Sequence, residues 1–280
     1  MAIHPRILGA AFAAAALAFC AAPRVHAVST NQSIPVNPTL DQAVNGSWRT
    51  PAFVKRDKYR HPLKVLQFFG IRPDMTVIEV EPGGGWWTEI FAPYLKARGH
   101  LIDTVPPQGS TGFMGRARTR FLAKLKADPA LYSKVTTVAF APPKDIDLGP
   151  PDSADMAFTS RNLHDWVNAH EAKATLASIF KVLKPGGILA VTDHRAWPSA
   201  DGRVTAKKFH RITEDLTLQL CLAAGFRLAG VSEVNANPKD PLDISVFRLP
   251  PALSHDTPAQ KEKYGAIGES DVFVMKFVKP

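Results

Sequence analysis

The chain has 280 residues, 45% of them hydrophobic and 21% charged, which suits one sizeable α/β core better than two small ones. Its net charge of +9 is scattered, and no basic run carries interleaved aromatics, so a nucleic-acid partner is not expected. With only two cysteines, Cys20 and Cys221, and Cys20 in the apolar leader, a disulfide framework is excluded, and Cys221 reads as a buried, inert thiol.

Residues 1–27 begin with Arg6, run apolar from Ile7 to Ala22 and end on the small-residue site Val25-His26-Ala27. This reads as a secretory signal cleaved after Ala27, too short to span a membrane, so a periplasmic or secreted location and no stable membrane span are expected. Leu17-Ala18-Phe19-Cys20 loosely resembles a lipobox, with Phe19 the poor fit. Residues 28–48 are polar and read as a flexible arm with one short helix near Leu40. From residue 49 to 72 the pattern is helical, with Leu63, Val65, Leu66 and Phe69 on one face and Gly70 as a stop.

Strands are expected at 75–80, 100–105, 135–140, 154–160, 188–194, 226–233 and 271–280. Helices are expected from Trp87 to Gly99, Met114 to Asp128, Ala169 to the stop at Pro185-Gly186-Gly187, and about Thr205 to Ala224. A solvated face is the expectation for the arginines and lysines of the second of these. The Pro-rich stretch 235–268 reads as an irregular insertion. Strands alternating with helices predict a doubly wound, seven-stranded, mostly parallel sheet, with an antiparallel last strand at its edge. Residues 49–280 then form a single domain, with 49–72 as an N-terminal helical lid.

The stretch "VIEVEPGGGWWTEI", Val77 to Ile90, turns from a strand through three glycines into a helix. A dinucleotide fingerprint needs a third glycine where Thr88 stands, and no lysine follows as a phosphate-binding loop requires. A ligand without phosphates fits better.

Here the chain resembles the class I S-adenosylmethionine-dependent methyltransferases, and within them an exported bacterial group of predicted methyltransferases. The resemblance rests on "PGGGWWTE", "RNLHDW", "LKPGGILAVTDHRA", "FHRITED", "AAGFRL" and the closing "DVFVMKFVKP", and reaches from about Arg56 to the end. "LKPGG" before a strand is common to the superfamily, whereas "RNLHDW" and "DHRA" are more specific to the group. The resemblance implies S-adenosylmethionine as cofactor, held by Glu79, Glu81, Gly83, Gly84, Gly85, Asn162 and Asp103. Two positions depart from the superfamily pattern. Glu81 replaces the first glycine of the turn, and the acid that holds the ribose falls at Val105, two residues beyond Asp103.

The ends of the fourth and fifth strands flank the transfer site in such a fold. They carry Arg161, Asn162, His164 and Asp165, then Asp193, His194 and Arg195. A His–Asp arrangement suits removal of a proton from a hydroxyl, amine or thiol, and arginines suit an anion. His164 or His194 with Asp193 is the expected catalytic set. Arg56, Tyr59, Arg60, Trp86, Arg161, Arg195 and His210 are the expected substrate contacts. No tight His-x-x-x-His or cysteine cluster occurs, so no metal is assigned. The expectation is a methyltransferase acting outside the cytoplasm on a small or medium-sized substrate, with arginines suited to an anionic one. The alternative is a non-methylating binding protein or metal-assisted enzyme using the same rim.

Overall fold

The computed structural model describes residues 34–254 and 257–280; the expected leader lies outside them. Helix α1 (Leu40–Val44) starts from a capping box in which Thr39 and Gln42 satisfy each other's backbone amides. Three short helices follow, α2 (Pro51–Val54), α3 (Asp57–Arg60) and α4 (Pro62–Phe69), with His61 at left-handed φ between the last two. Then come β1 (Thr76–Val80), α5 (Thr88–Leu95), β2 (His100–Val105), α6 (Gly112–Ala127), α7 (Pro129–Tyr132), β3 (Thr136–Ala139) and β4 (Ala154–Ser160). The chain closes with α8 (Leu163–Asn168), α9 (Ala172–Val182), β5 (Leu183–His194), α10 (Gly202–Phe209), α11 (Glu214–Ala223), β6 (Arg227–Ser232), α12 (Pro258–Gly265) and β7 (Val272–Val278).

The strands form one sheet in the order β3-β2-β1-β4-β5-β7-β6. β1 to β5 pair in parallel, and β7 runs antiparallel to both β5 and β6. The antiparallel strand therefore sits inside the sheet, and β6 takes the edge. Alternate residues of each strand feed opposite faces. On one face Ile78, Ala157, Val191 and Phe273 pack with Trp166, Leu176 and Ile179. On the other, Val77, Phe158 and Val274 pack with Phe69, Ile90 and Phe91. Both faces are covered, so the inner strands read as near-continuous apolar runs. Among the described residues no helix is long and apolar enough to cross a membrane.

Three expectations differ from the fold. The expected loose arm is packed from Ile34 onward, with Ala43 and Val44 in the core and Trp48 Nε1 donating to the Glu89 carbonyl at 3.0 Å. The expected helix over 205–224 is two helices, because residues 210–212 leave helical geometry to bridge the end of β5. Ile212 N donates to His194 O at 2.9 Å, and Ala196 N to Ile212 O at 3.0 Å. The apolar stripe keeps its phase across the break, so periodicity alone reads it as continuous. The insertion 235–268 is partly ordered into a 3₁₀ turn at Val246–Arg248 and α12. It is pinned by the buried bidentate pair of Arg211 with Asp240, at 2.8 and 2.9 Å.

Candidate active site

The turn after β1 carries left-handed backbone at Glu81 (φ 55°), Gly83 (φ 58°) and Gly85 (φ 80°). Glycine adopts this region freely, whereas a side chain costs roughly 1–2 kcal/mol there. Glu81 is held in it by three bonds. Its N–H donates to Thr104 Oγ1 at 2.7 Å, its carbonyl accepts from Asn162 Nδ2 at 3.2 Å, and its carboxylate accepts from Trp166 Nε1 at 2.6 Å. Burial pushes the Glu81 carboxyl up, and the Trp166 bond only partly offsets this, leaving it at about 7. Gly83 has open space where a Cβ would stand, and Gly84 lies under Phe53 of α2.

Glu79 and Asp103 lie opposite each other in the β1–β2 register and point toward α5. Thr88 Oγ1 donates to Glu79 at 2.8 Å, while neither Asp103 oxygen has a donor. Two buried carboxyls side by side cannot both ionise, so one proton between them supplies the missing bond. Burial raises Glu79 to about 8, and burial and then Glu79 raise Asp103 well above its ordinary value. Asp103 is fully buried, which corrects its expected reach to a ribose, and Glu79 braces the turn through Thr88.

Trp86 is also corrected from its expected contact with substrate. It is buried, donates through Nε1 to Phe53 O at 3.0 Å, and lies with the Arg49 and Arg60 guanidiniums each 4.9 Å from its ring centre. Arg49 itself pairs with Asp57 at 2.5 and 3.0 Å. The two tryptophans meet edge to face, and Trp87 continues into Phe91 and Phe158. They therefore staple the lid helices to the sheet.

Three guanidiniums converge on Glu269, which sequence reasoning missed. Arg56 bonds it through Nε and again through an outer nitrogen at 3.2 Å, Arg60 Nε lies at 3.2 Å, and an Arg161 outer nitrogen at 2.8 Å. Burial alone would raise the Glu269 carboxyl, but Arg161, then Arg56 and Arg60, overcome it and take it to about 2. Burial, added to the neighbouring arginines, pushes the Arg60 and Arg161 guanidiniums downward. Asn237 holds the loop that presents Glu269, donating to Glu269 O at 2.6 Å and Ile267 O at 3.0 Å. Tyr59 packs against Gly268 of the same loop. The signal for Glu269 was the acidic pair in "ESD" just ahead of β7.

On the opposite face Asp193, fully buried, accepts from His164 N at 3.0 Å, His164 Nδ1 at 2.7 Å and His194 N at 2.6 Å. Burial opposes the charged His164 ring, yet the Asp193 charge and hydrogen bond outweigh it and the pKa is raised. With Nδ1 turned to Asp193, Nε2 faces Asp165 Oδ1 at 3.4 Å. His210 Nδ1 lies 3.5 Å from the same oxygen, its ring against Phe247. His194 differs, since its neighbour in the strand takes the other face. Its Nδ1 meets Ser270 Oγ at 2.5 Å, and burial with nearby Arg161 pushes its pKa well down. The structure thus pairs Asp193 with His164 and leaves His194, its ring centre 5.5 Å from that of His164, as a neutral ring bonded to Ser270.

Arg195 is corrected from an expected substrate contact. It is spent on Glu214, on Glu233 at 2.5 Å and on Asp271 at 3.2 Å. Asn162 clamps the end of β1, donating through Nδ2 to Val80 O at 3.1 Å and Thr159 Oγ1 at 3.0 Å as well as to Glu81 O, so it braces the turn. Lys124, expected on a solvated face of α6, pairs with buried Glu89 at 2.5 Å.

The sheet order, the turn after β1 and the polar rim define a class of fold, the one found in S-adenosylmethionine-dependent methyltransferases. No family model matches the sequence, and no curated protein matches it. Among solved structures, a SAM-dependent methyltransferase from Aquifex aeolicus superposes with a TM-score of 0.56 at 16% identity, covering 87% of this chain and all of that one. The [4+2]-cyclase SpnF superposes with a TM-score of 0.53 at 18% identity, covering 89% of this chain and 98% of that one. The chain has this fold.

Proposed function

We propose that this chain is an S-adenosylmethionine-dependent methyltransferase acting outside the cytoplasm on a small or medium-sized anionic substrate. The observation that carries the reading is the backbone at Glu81. Its left-handed φ keeps the glycine form of the turn, and its carboxylate is drawn to Trp166. A backbone cradle open at Gly83 fits the amino-acid part of the cofactor, held by residues 81–85. When bound, the cofactor supplies a methyl group on a sulfonium. The fit is incomplete at the ribose, because Asp103 is buried and Val105 offers no acceptor.

The chain's own residues support the remaining chemistry. Asp193 orients His164, whose Nε2 takes the proton from a substrate hydroxyl, amine or thiol. Arg56, Arg60 and Arg161 carry more positive charge than Glu269 neutralises, which suits an anionic group on the substrate. The leader at residues 1–27 supports action outside the cytoplasm. Calorimetry of the purified protein with S-adenosylmethionine and with S-adenosylhomocysteine tests the reading, and one site per chain for both is expected. No heat at millimolar ligand would sink it and favour the second reading, a binding protein that dispenses with this cofactor. Two observations point toward that second reading: the missing ribose acid, and a fold whose neighbours include a protein named as a cyclase.

A further inference from the structure

We propose that His164, Asp165 and His210 form a binding site for one divalent transition-metal ion, zinc being the probe of choice. His164 Nε2 and His210 Nδ1 stand 3.4 and 3.5 Å from the same Asp165 oxygen, and all three atoms lie within 4.8 Å of one another. An ion bonded at about 2.0–2.1 Å in tetrahedral geometry separates its ligand atoms by about 3.4 Å. Both separations match that edge, and the remaining pair lies within 4.8 Å, so the three atoms surround a space of the size one such ion takes.

Each ligand is also held as a metal ligand needs to be. His164 donates Nδ1–H to buried Asp193 at 2.7 Å, the carboxylate–histidine support that fixes the tautomer and turns the Nε2 lone pair outward. His210 sits at left-handed φ 56° where α10 ends, and this strained residue brings its ring beside Asp165, with Phe247 packed on its other side. The Asp165 side chain is 60% exposed, so the site opens to solvent on that side and leaves coordination positions for water or substrate. Two imidazoles and one carboxylate select zinc, cobalt, iron or nickel over magnesium and calcium, which prefer oxygen ligands.

The inference deepens the reading of His164 above. The lone pair that takes a proton in the ion-free chain becomes a ligand in the loaded one. The ion then holds the substrate hydroxyl, amine or thiol and lowers its pKa, so its proton passes to water.

The test strips the purified protein with a chelator and titrates it with zinc alone by calorimetry, and with cobalt by visible absorption. Expected are one zinc per chain, a four-coordinate cobalt spectrum and no heat from magnesium. His210→Ala and Asp165→Asn lie at the solvent side and preserve the fold, checked by circular dichroism; each weakens zinc binding at least about tenfold. Asp193→Asn, acting through His164, weakens it about 10–100-fold. Zinc heats unchanged in both His210→Ala and Asp165→Asn overturn the site, as does no binding at millimolar zinc. Magnesium binding as tightly as zinc overturns the ligand chemistry. No cofactor is present in this titration, so its failure is distinct from failure of the cofactor calorimetry.

Discussion

Asp103 and Asp193 lie at the same depth, both without exposed surface, near the carboxyl ends of β2 and β5. Around Asp193 three N–H groups converge, and it orients His164. Around Asp103 no donor stands, and its neighbour is a second carboxyl, so the pair holds a proton. A strand-end acid is thus not a site by virtue of type or position. What it does follows from the donors that the neighbouring elements bring to it.

The largest effect that tests this contrast is at Asp193. Replacing it with alanine strands three buried N–H donors, and we expect a loss of about 3–5 kcal/mol in urea unfolding. A loss below about 1 kcal/mol would erase the difference between the two aspartates.

Glu269 comes next, since its carboxylate faces three guanidiniums. Glu269→Gln is expected to cost about 1.5–3 kcal/mol. The sign of its pH dependence follows from a carboxyl lowered from 4.5 to about 2. The fold gains stability that is present above pH 4.5 and is lost as pH falls through about 2. Unfolding measured across that window should slope in the wild type and lose that component of the slope in the variant.

At the Glu79–Asp103 pair the sign reverses. A carboxyl raised from 4.5 to about 8 leaves stability fully present below pH 4.5 and lost as pH rises through about 8. Asp103→Asn supplies a permanent donor, and thermal unfolding at pH 8 should then improve by about 1–2 kcal/mol with a flatter pH profile. Destabilisation instead would mean that the acid is needed in its charged form.

Glu81→Gly is the smallest. It releases left-handed strain of about 1–2 kcal/mol and gives up the Trp166 bond, worth about 1.5–3 kcal/mol. The two offset to within roughly 1 kcal/mol in chemical denaturation.

The seven strands, the alternation of strands with helices and the glycine turn were legible in the sequence, because local periodicity and turn chemistry are written residue by residue. His164 and Asp193 were legible as neighbours of strand ends. Which histidine met which aspartate was not, since that depends on alternate residues of β5 taking opposite faces beside α8 and the lid. Only the tertiary structure brought Glu269, 213 residues along the chain from Arg56, into the arginine cluster. It alone spent Arg195 on three carboxylates and turned Trp86 into a packing residue. It also set His210 beside Asp165, by breaking a helix whose apolar stripe runs on undisturbed. Sequence fixes what each residue prefers locally; which charges must neutralise one another is decided when distant segments share one buried volume.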